Sequence, residues 1–126
     1  MHCAHFQANR CRSCSWINLP YSEQLQRKTE SLNNLLAPFN TFYHAEPIAS
    51  PETACRNKAK MVALGMAHAP LLGIISPTGK AVSLVDCPLY PAPMQQLLLY
   101  LEDWIKNAGI PPYQIDKAKG ELKYIL

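Results

Sequence analysis

The sequence predicts an α+β fold, a small mixed domain of mostly antiparallel sheet with two main helices. Three observations lead there. Helical and strand-like stretches follow in the order helix, strands, helix, strands, rather than in the strict alternation of a doubly wound sheet. A Ser-Pro-Thr-Gly tetrapeptide sits between two β-prone runs, which is the pattern of a hairpin. And 126 residues at 48% hydrophobic content suffice for one core, while eleven prolines keep the elements short.

The elements can be justified in chain order. In "LPYSEQLQRKTESLNNLLAPF", Leu25, Leu32, Leu35 and Leu36 recur on one helical face. Ser22 is the expected N-cap, and Pro38 is the expected stop. Residues 40–51 carry two prolines and little periodicity, so a connection with at most a short strand is expected. In "CRNKAKMVALG", Val62, Ala63 and Leu64 suit a strand behind a basic lead. "LLGIISPTGKAVSLVDCP" reads as the hairpin, with Pro77 and Gly79 where a type I turn favours them. "PAPMQQLLLYLEDWIKNAG" carries an apolar stripe of Met94, Leu97, Leu98, Leu101 and Ile105, with Gly109 as its C-terminal stop ahead of Pro111 and Pro112. "PYQIDKAKGELKYIL" reads as two strands about a turn at 117–120. The chain ends on "ELKYIL", inside an apolar run, so a piece of a longer protein is expected.

Net charge is +3 and charged residues are 17% of the chain, which excludes a disordered polyelectrolyte and permits an anionic partner. No run approaches the roughly 20 apolar residues of a membrane span, and no apolar segment follows Met1 as in a signal peptide. A cytoplasmic, reducing setting is the expectation. There, clustered cysteines are more often metal ligands than disulfides.

Five cysteines are present, an odd number, and three lie within "MHCAHFQANRCRSCSW": Cys3, Cys11 and Cys14. The last two form C-x2-C, a spacing that lets a loop turn two thiolates toward one centre. Cys87 follows far off in "VDCPLYP". Together the four make an all-cysteine set for zinc or for an iron–sulfur cluster, and spacing leaves that choice open. A C-x2-C redox pair is the weaker reading, because no βαβ pattern surrounds it. Cys87 alone would pass for a buried core thiol, and Cys55 is read as a packing residue. His2, His5, His44 and His68 are scattered. Trp16 and Tyr90 are read as hydrophobic cover beside the cysteines.

Arg56, Lys58 and Lys60 alternate in "RNKAKM", so on a strand they share one face. Such a row can neutralise phosphates, but taken alone it reads first as a solvated sheet face. No Gly-rich phosphate loop, nucleophile elbow or H-E-x-x-H is present, and Asp86 and Glu102 show no carboxylate partner.

The four cysteines, "RNKAKM", "DCPLYP" and "KGELKYIL" together resemble the N-terminal part of the RNA uracil-5-methyltransferases, along nearly the whole chain. With Cys3 so early, no room is left for the N-terminal TRAM domain that many members carry. The resemblance implies that Cys3, Cys11, Cys14 and Cys87 hold a [4Fe-4S] cluster, with residues 1–19 plus Cys87 as its segment. It makes 20–126 a central RNA-recognition domain, incomplete at its C-terminus, with Arg56, Lys58 and Lys60 as RNA contacts. It implies 23S rRNA as partner and S-adenosylmethionine as methyl donor, bound by a C-terminal domain absent from this chain. Catalytic and donor-binding residues are expected in that domain, none of them here, and Cys55 lies outside the family's catalytic motif. A monomer that needs no membrane is expected. The rival reading is a standalone four-cysteine zinc module binding RNA or protein.

Overall fold

The computed structural model describes residues 1–39 and 45–126. The chain is α+β, with helices α1 (Ala4–Gln7), α2 (Tyr21–Leu36) and α3 (Ala92–Ala108), and strands β1 (Met61–Met66), β2 (Ala69–Ile75), β3 (Ala81–Ser83) and β4 (Tyr124–Ile125). The strands form one antiparallel sheet in the order β3-β2-β1-β4. Among the described residues, no helix is long and apolar enough to cross a membrane.

Alternation along the strands decides which face carries the core. Met61 and Ala63 of β1, Leu72 of β2 and Val82 of β3 point to one side and are buried, joined there by Leu98 and Ile105 of α3. Side chains of successive strand residues face opposite ways, so the register Ala63↔Leu72 and Ile74↔Val82 aligns these apolar positions in one layer. α3 lies across that layer. Its Glu102 accepts the Leu72 N–H at 2.6 Å, closing a strand amide that side-chain packing alone would leave to solvent.

Local chemistry sets the clearest boundaries. In the β2–β3 hairpin, Pro77 supplies the fixed φ of a first turn position, the Gly79 N–H donates to Ser76 O at 2.9 Å, and Gly79 takes φ +79. α3 ends at Gly109, which adopts φ +66, and the Ile110 N–H reaches back to Ile105 O at 3.2 Å. Of the expected α3 stripe, Leu98 and Ile105 are buried, Met94 and Leu101 pack partly, and Leu97 stays exposed.

Two expectations need correction, the Ser22 cap and the first of the C-terminal strands. α2 begins at Tyr21 behind Pro20, so Ser22 stands inside the helix and caps nothing; the fixed φ of proline already starts the turn. The α-helix does end at Leu36, ahead of Pro38 as expected, and a short 3-10 turn, Ala37–Phe39, follows it. The Leu25, Leu32, Leu35 and Leu36 face forms, yet α2 buries no residue. At the C-terminal end only β4 is a strand. Residues 112–122 make isolated bridges, Pro112↔Leu122 and Gln114↔Lys119, about a turn at 115–118. The connection expected over 40–51 is irregular from 45 onward, and its first part lies outside the described residues.

Candidate metal centre

The N-terminal segment folds back on itself to present its thiols. Cys3 is the extended N-cap of α1, a single turn whose Gln7 N–H donates to Cys3 O at 3.1 Å. Asn9 then takes φ +55, a conformation asparagine tolerates better than most residues. That reversal lets the Arg10 and Cys11 amides both donate to His5 O, at 2.9 and 3.2 Å. Cys14 starts the next turn, whose Ile17 N–H returns to Cys14 O.

Cys87 comes from the loop between β3 and α3. Its N–H donates to Leu84 O at 3.1 Å, while its carbonyl accepts from Tyr90 N at 3.0 Å and from Gln95 Nε2 at 3.2 Å. Gln95, on the first turn of α3, thus fixes the loop from the helix side.

These two segments meet at one cavity of about 120 Å³, lined by Cys3, Cys11, Cys14 and Cys87 together with His5, Arg56, Tyr90 and the apolar Met61, Ile74 and Leu84. All four thiols are half-buried, whereas Cys55 is exposed and lines no part of this cavity. Burial pushes the Cys14 thiol up, and the neighbouring Cys11 and Cys3 push it further, against Arg56. Cys87 is likewise raised, first by burial and then by Cys3, Cys14 and Cys11, with the Leu89 amide opposing. Thiolates placed here repel one another through a poorly solvated space, and a cation among them would relieve both effects. Among the described residues, no three His, Cys, Asp or Glu side chains are grouped as ligands to a single metal ion.

His5 is the residue the sequence reading passed over. It is buried, at 5% exposure, and lines the same cavity. Its Nε2 lies 2.7 Å from Asp86 Oδ1, so the N–H sits on Nε2 and donates to the carboxylate, joining α1 to the residue before Cys87. Nδ1 is buried without a partner. A pairing across 81 residues leaves no local signal in the sequence. His2 and His68 lie off the cavity, and His44 lies outside the described residues.

The basic row is divided. Arg56, Lys58 and Lys60 precede β1, which starts at Met61, so they lie on an irregular lead rather than on the strand expected for them. Burial still alternates there, with Ala59 inward between exposed Lys58 and Lys60. The lead is laced to the cysteine loop, because the Ala54 and Arg56 amides donate to Pro88 O and Leu89 O, each at 2.9 Å. Arg56 and Lys60 line the cysteine cavity, and Lys60 Nζ stands 4.6 Å over the Tyr124 ring. Lys58 instead borders a groove beside α3 with Leu97 and Leu126. Tyr90 covers the cavity as expected; Trp16 does not line it.

Comparison with known proteins assigns the relatives. The chain is 56% identical over 129 aligned positions to the 23S rRNA (uracil(747)-C(5))-methyltransferase RlmC of Shewanella oneidensis, covering all of this chain and 33% of that protein. Its counterparts in Shewanella loihica and Vibrio cholerae are each 55% identical over 126 positions, again across the whole chain and over 33% and 34% of their own lengths. The chain therefore spans about a third of the length of the curated relatives it matches. No protein-family model matches it, and no solved structure does. By sequence, all 126 residues are those of a relative of the 23S rRNA (uracil(747)-C(5))-methyltransferases, matching about a third of such a protein.

Proposed function

We propose that the chain is the cluster-bearing and RNA-recognition part of an S-adenosylmethionine-dependent 23S rRNA uracil-5-methyltransferase that modifies uridine 747. The observation that carries this is the identity of 53–56% to such enzymes along every residue. In this reading residues 1–19 with Cys87 form the cluster segment and 20–126 the RNA-recognition domain. The protein is a cytoplasmic monomer.

Cys3, Cys11, Cys14 and Cys87 would hold a [4Fe-4S] cluster. Their common cavity and their mutual repulsion as thiolates support a cationic group there. Nothing in uridine methylation moves an electron, so the cluster's part is to fasten the N-terminal segment beside the β3–α3 loop. What this chain's own residues contribute is position and charge. Arg56 and Lys60 at the cavity rim and Lys58 beside α3 supply cations for phosphate.

The methyl-transfer chemistry belongs to residues outside this chain: a cysteine thiolate that adds to C6 of the uracil, a donor that yields its methyl to C5, and a base that removes the C5 proton. The target base must leave its stack first. Cys55 lies outside the family's catalytic motif, and in this reading it is not that nucleophile.

Two measurements test the reading. Material purified without oxygen should be brown, with iron and sulfide in equal amounts; colourless protein containing zinc would establish the rival module instead. The 126-residue chain should transfer no methyl from labelled S-adenosylmethionine to 23S rRNA, while the complete protein labels C5 of uridine 747. Absence of label from the complete protein would overturn the assignment.

A further inference from the structure

Beside the cysteine cavity lies a second, open pocket of about 300 Å³. The two share Cys14, Arg56 and Leu89 as a common wall. Its other walls are the turn after Cys14, the first two turns of α2 and the lead into β1. Four side chains give it chemical character: Trp16, Tyr21, Lys28 and Arg56. Tyr21, Gln24 and Lys28 are spaced three and four apart on α2, so one helical face turns toward the pocket.

The walls are held in place before any ligand arrives. Gln24 Nε2 donates to Trp16 O at 2.9 Å and to Leu19 O at 3.0 Å, which anchors the turn bearing Trp16 onto α2. The Ser50 N–H donates to the Tyr21 hydroxyl oxygen at 2.9 Å, and the Arg56 amide is fixed to Leu89 O. Glu52 also lines the pocket, but its carboxylate is taken by the Met1 amine at 2.9 Å. Neither Lys28 nor Arg56 makes an ion pair with a described residue.

Trp16 is the telling residue. It keeps 37% of its surface exposed while Tyr90, the true cover of the cysteine cavity, keeps 7%. An indole left open beside two unpaired cations fits a ligand with a flat π-face and a negative charge a short distance away. The volume stands at the lower end of small-ligand pockets, which run from about 300 Å³ upward, so the pocket admits one such unit. An acidic peptide would satisfy Lys28 and Arg56 but would leave the indole uncovered.

We propose that this pocket takes one unstacked nucleotide of single-stranded RNA, with its base laid on Trp16 and its phosphate held by Lys28 and Arg56. The assignment rests on the RNA-recognition reading above and goes beyond it by placing a nucleotide at residues outside the basic row, Trp16 and Lys28.

The test uses the 126-residue chain purified without oxygen, with Trp104→Phe in the background. The chain has two tryptophans, and Trp104 lies exposed on α3, so this change leaves Trp16 as the sole indole reporter. A uridine nonamer should quench Trp16 emission. Trp16→Ala should weaken nonamer binding by about 5- to 100-fold, since stacking a base on an aromatic ring is worth about 1–3 kcal/mol. Trp16→Phe should recover most of that loss. Lys28→Ala should lower the slope of log affinity against log salt by about 0.7, one phosphate's worth for a single strand. Visible absorbance and circular dichroism separate lost stacking from lost fold. If Trp16→Ala disturbs either, Trp16→Phe and Lys28→Ala carry the decision. Unchanged affinity and salt slope in these variants, with the parent still binding the nonamer, would overturn the pocket and leave the RNA reading standing. A parent that does not bind the nonamer would overturn both. Quenching of equal size by poly-glutamate would also refute the proposal, in favour of an acidic protein ligand.

Discussion

Replacing His5 by leucine and Asp86 by alanine should have opposite effects on stability, and the sign follows from three magnitudes. His5 is buried with two ring nitrogens to satisfy, and only Nε2 has a partner, Asp86 Oδ1 at 2.7 Å. The Asp86 side chain is 70% exposed, so its bond is screened and worth about 0.5–1 kcal/mol. The unpartnered Nδ1 costs about 1–3 kcal/mol as a buried polar atom. His5→Leu removes the smaller gain and the larger cost together while keeping similar volume. The chain without bound metal should therefore be unchanged or about 1 kcal/mol more stable.

Asp86→Ala does the reverse. It leaves both imidazole nitrogens without a protein partner, at a cost of about 1–2 kcal/mol. The cost stays below the top of the usual range because the open pocket between His5 and Asp86 lets water reach Nε2. In a His5→Leu background the same Asp86→Ala change should be neutral, since no imidazole remains to desert. Urea unfolding of all four proteins, metal-free and reduced, gives the coupling directly. A loss of 2 kcal/mol or more in His5→Leu, or an unaltered Asp86→Ala, would refute the reasoning.

Three further changes probe other parts of the fold. Burial raises the Glu102 carboxyl, so its folded pKa exceeds its unfolded one. Its contribution to stability is full below about pH 4.5 and is lost as pH rises through the raised value; Glu102→Gln, still able to accept the Leu72 N–H, should flatten that fall in pH-dependent unfolding. A Cβ on Gly73 would run into Val82 O and Ser83 Cα of the neighbouring strand, so Gly73→Ala should cost about 3 kcal/mol or more, read as a lower urea midpoint. Cys87→Ser should abolish visible absorbance and speed amide exchange through residues 3–17, with the β1–β2 pairing still protected; exchange unchanged in 3–17 would show that the cluster does not fasten that segment.

What could be read from the sequence was what local chemistry determines. The β2–β3 hairpin needs only Pro77 and Gly79 to turn, and α3 needs only its stripe and Gly109, so both were legible. Of the two C-terminal strands read, the second stands as β4, paired through Met61↔Ile125 and Val62↔Tyr124, while the first was not to be had from local pattern, since 112–114 make only isolated bridges. The apolar face of α2 was legible as a helix, and the helix buries none of its residues. Periodicity says which residues share a face, and it is silent on what covers them. At the site, the sequence already set Cys3, Cys11, Cys14 and Cys87 together as one candidate set, and the resemblance chose between zinc and iron–sulfur. In space it is the β3–α3 loop that carries Cys87 to α1. His5 and Asp86 fix that meeting and left no trace in either local pattern.

Two kinds of tie hold the N-terminal segment to the domain, and their strengths differ. The direct ties include the His5–Asp86 bond, whose partner is largely solvated, the ion pair of the Met1 amine with half-exposed Glu52, and the Gln24 bonds to Trp16 O and Leu19 O. Bonds of that sort contribute about 1 kcal/mol at most. α1 adds a single buried side chain, and α2 adds none. Against this stand four thiols about one cavity, where burial and the neighbouring cysteines raise Cys14 and Cys87. Without a cation the raised Cys14 and Cys87 thiols stay protonated, and the cavity supplies no electrostatic tie of its own. With one, the same four thiols become the strongest tie in the region, because the charges that repel are those that bind. The pocket at Trp16 shares Cys14 and Arg56 with that cavity, so whatever orders the thiols also sets the wall on which a nucleotide would rest. On the proposed reading, metal binding and RNA recognition would be coupled through this shared wall, and a cluster could serve the reaction without taking a chemical part in it.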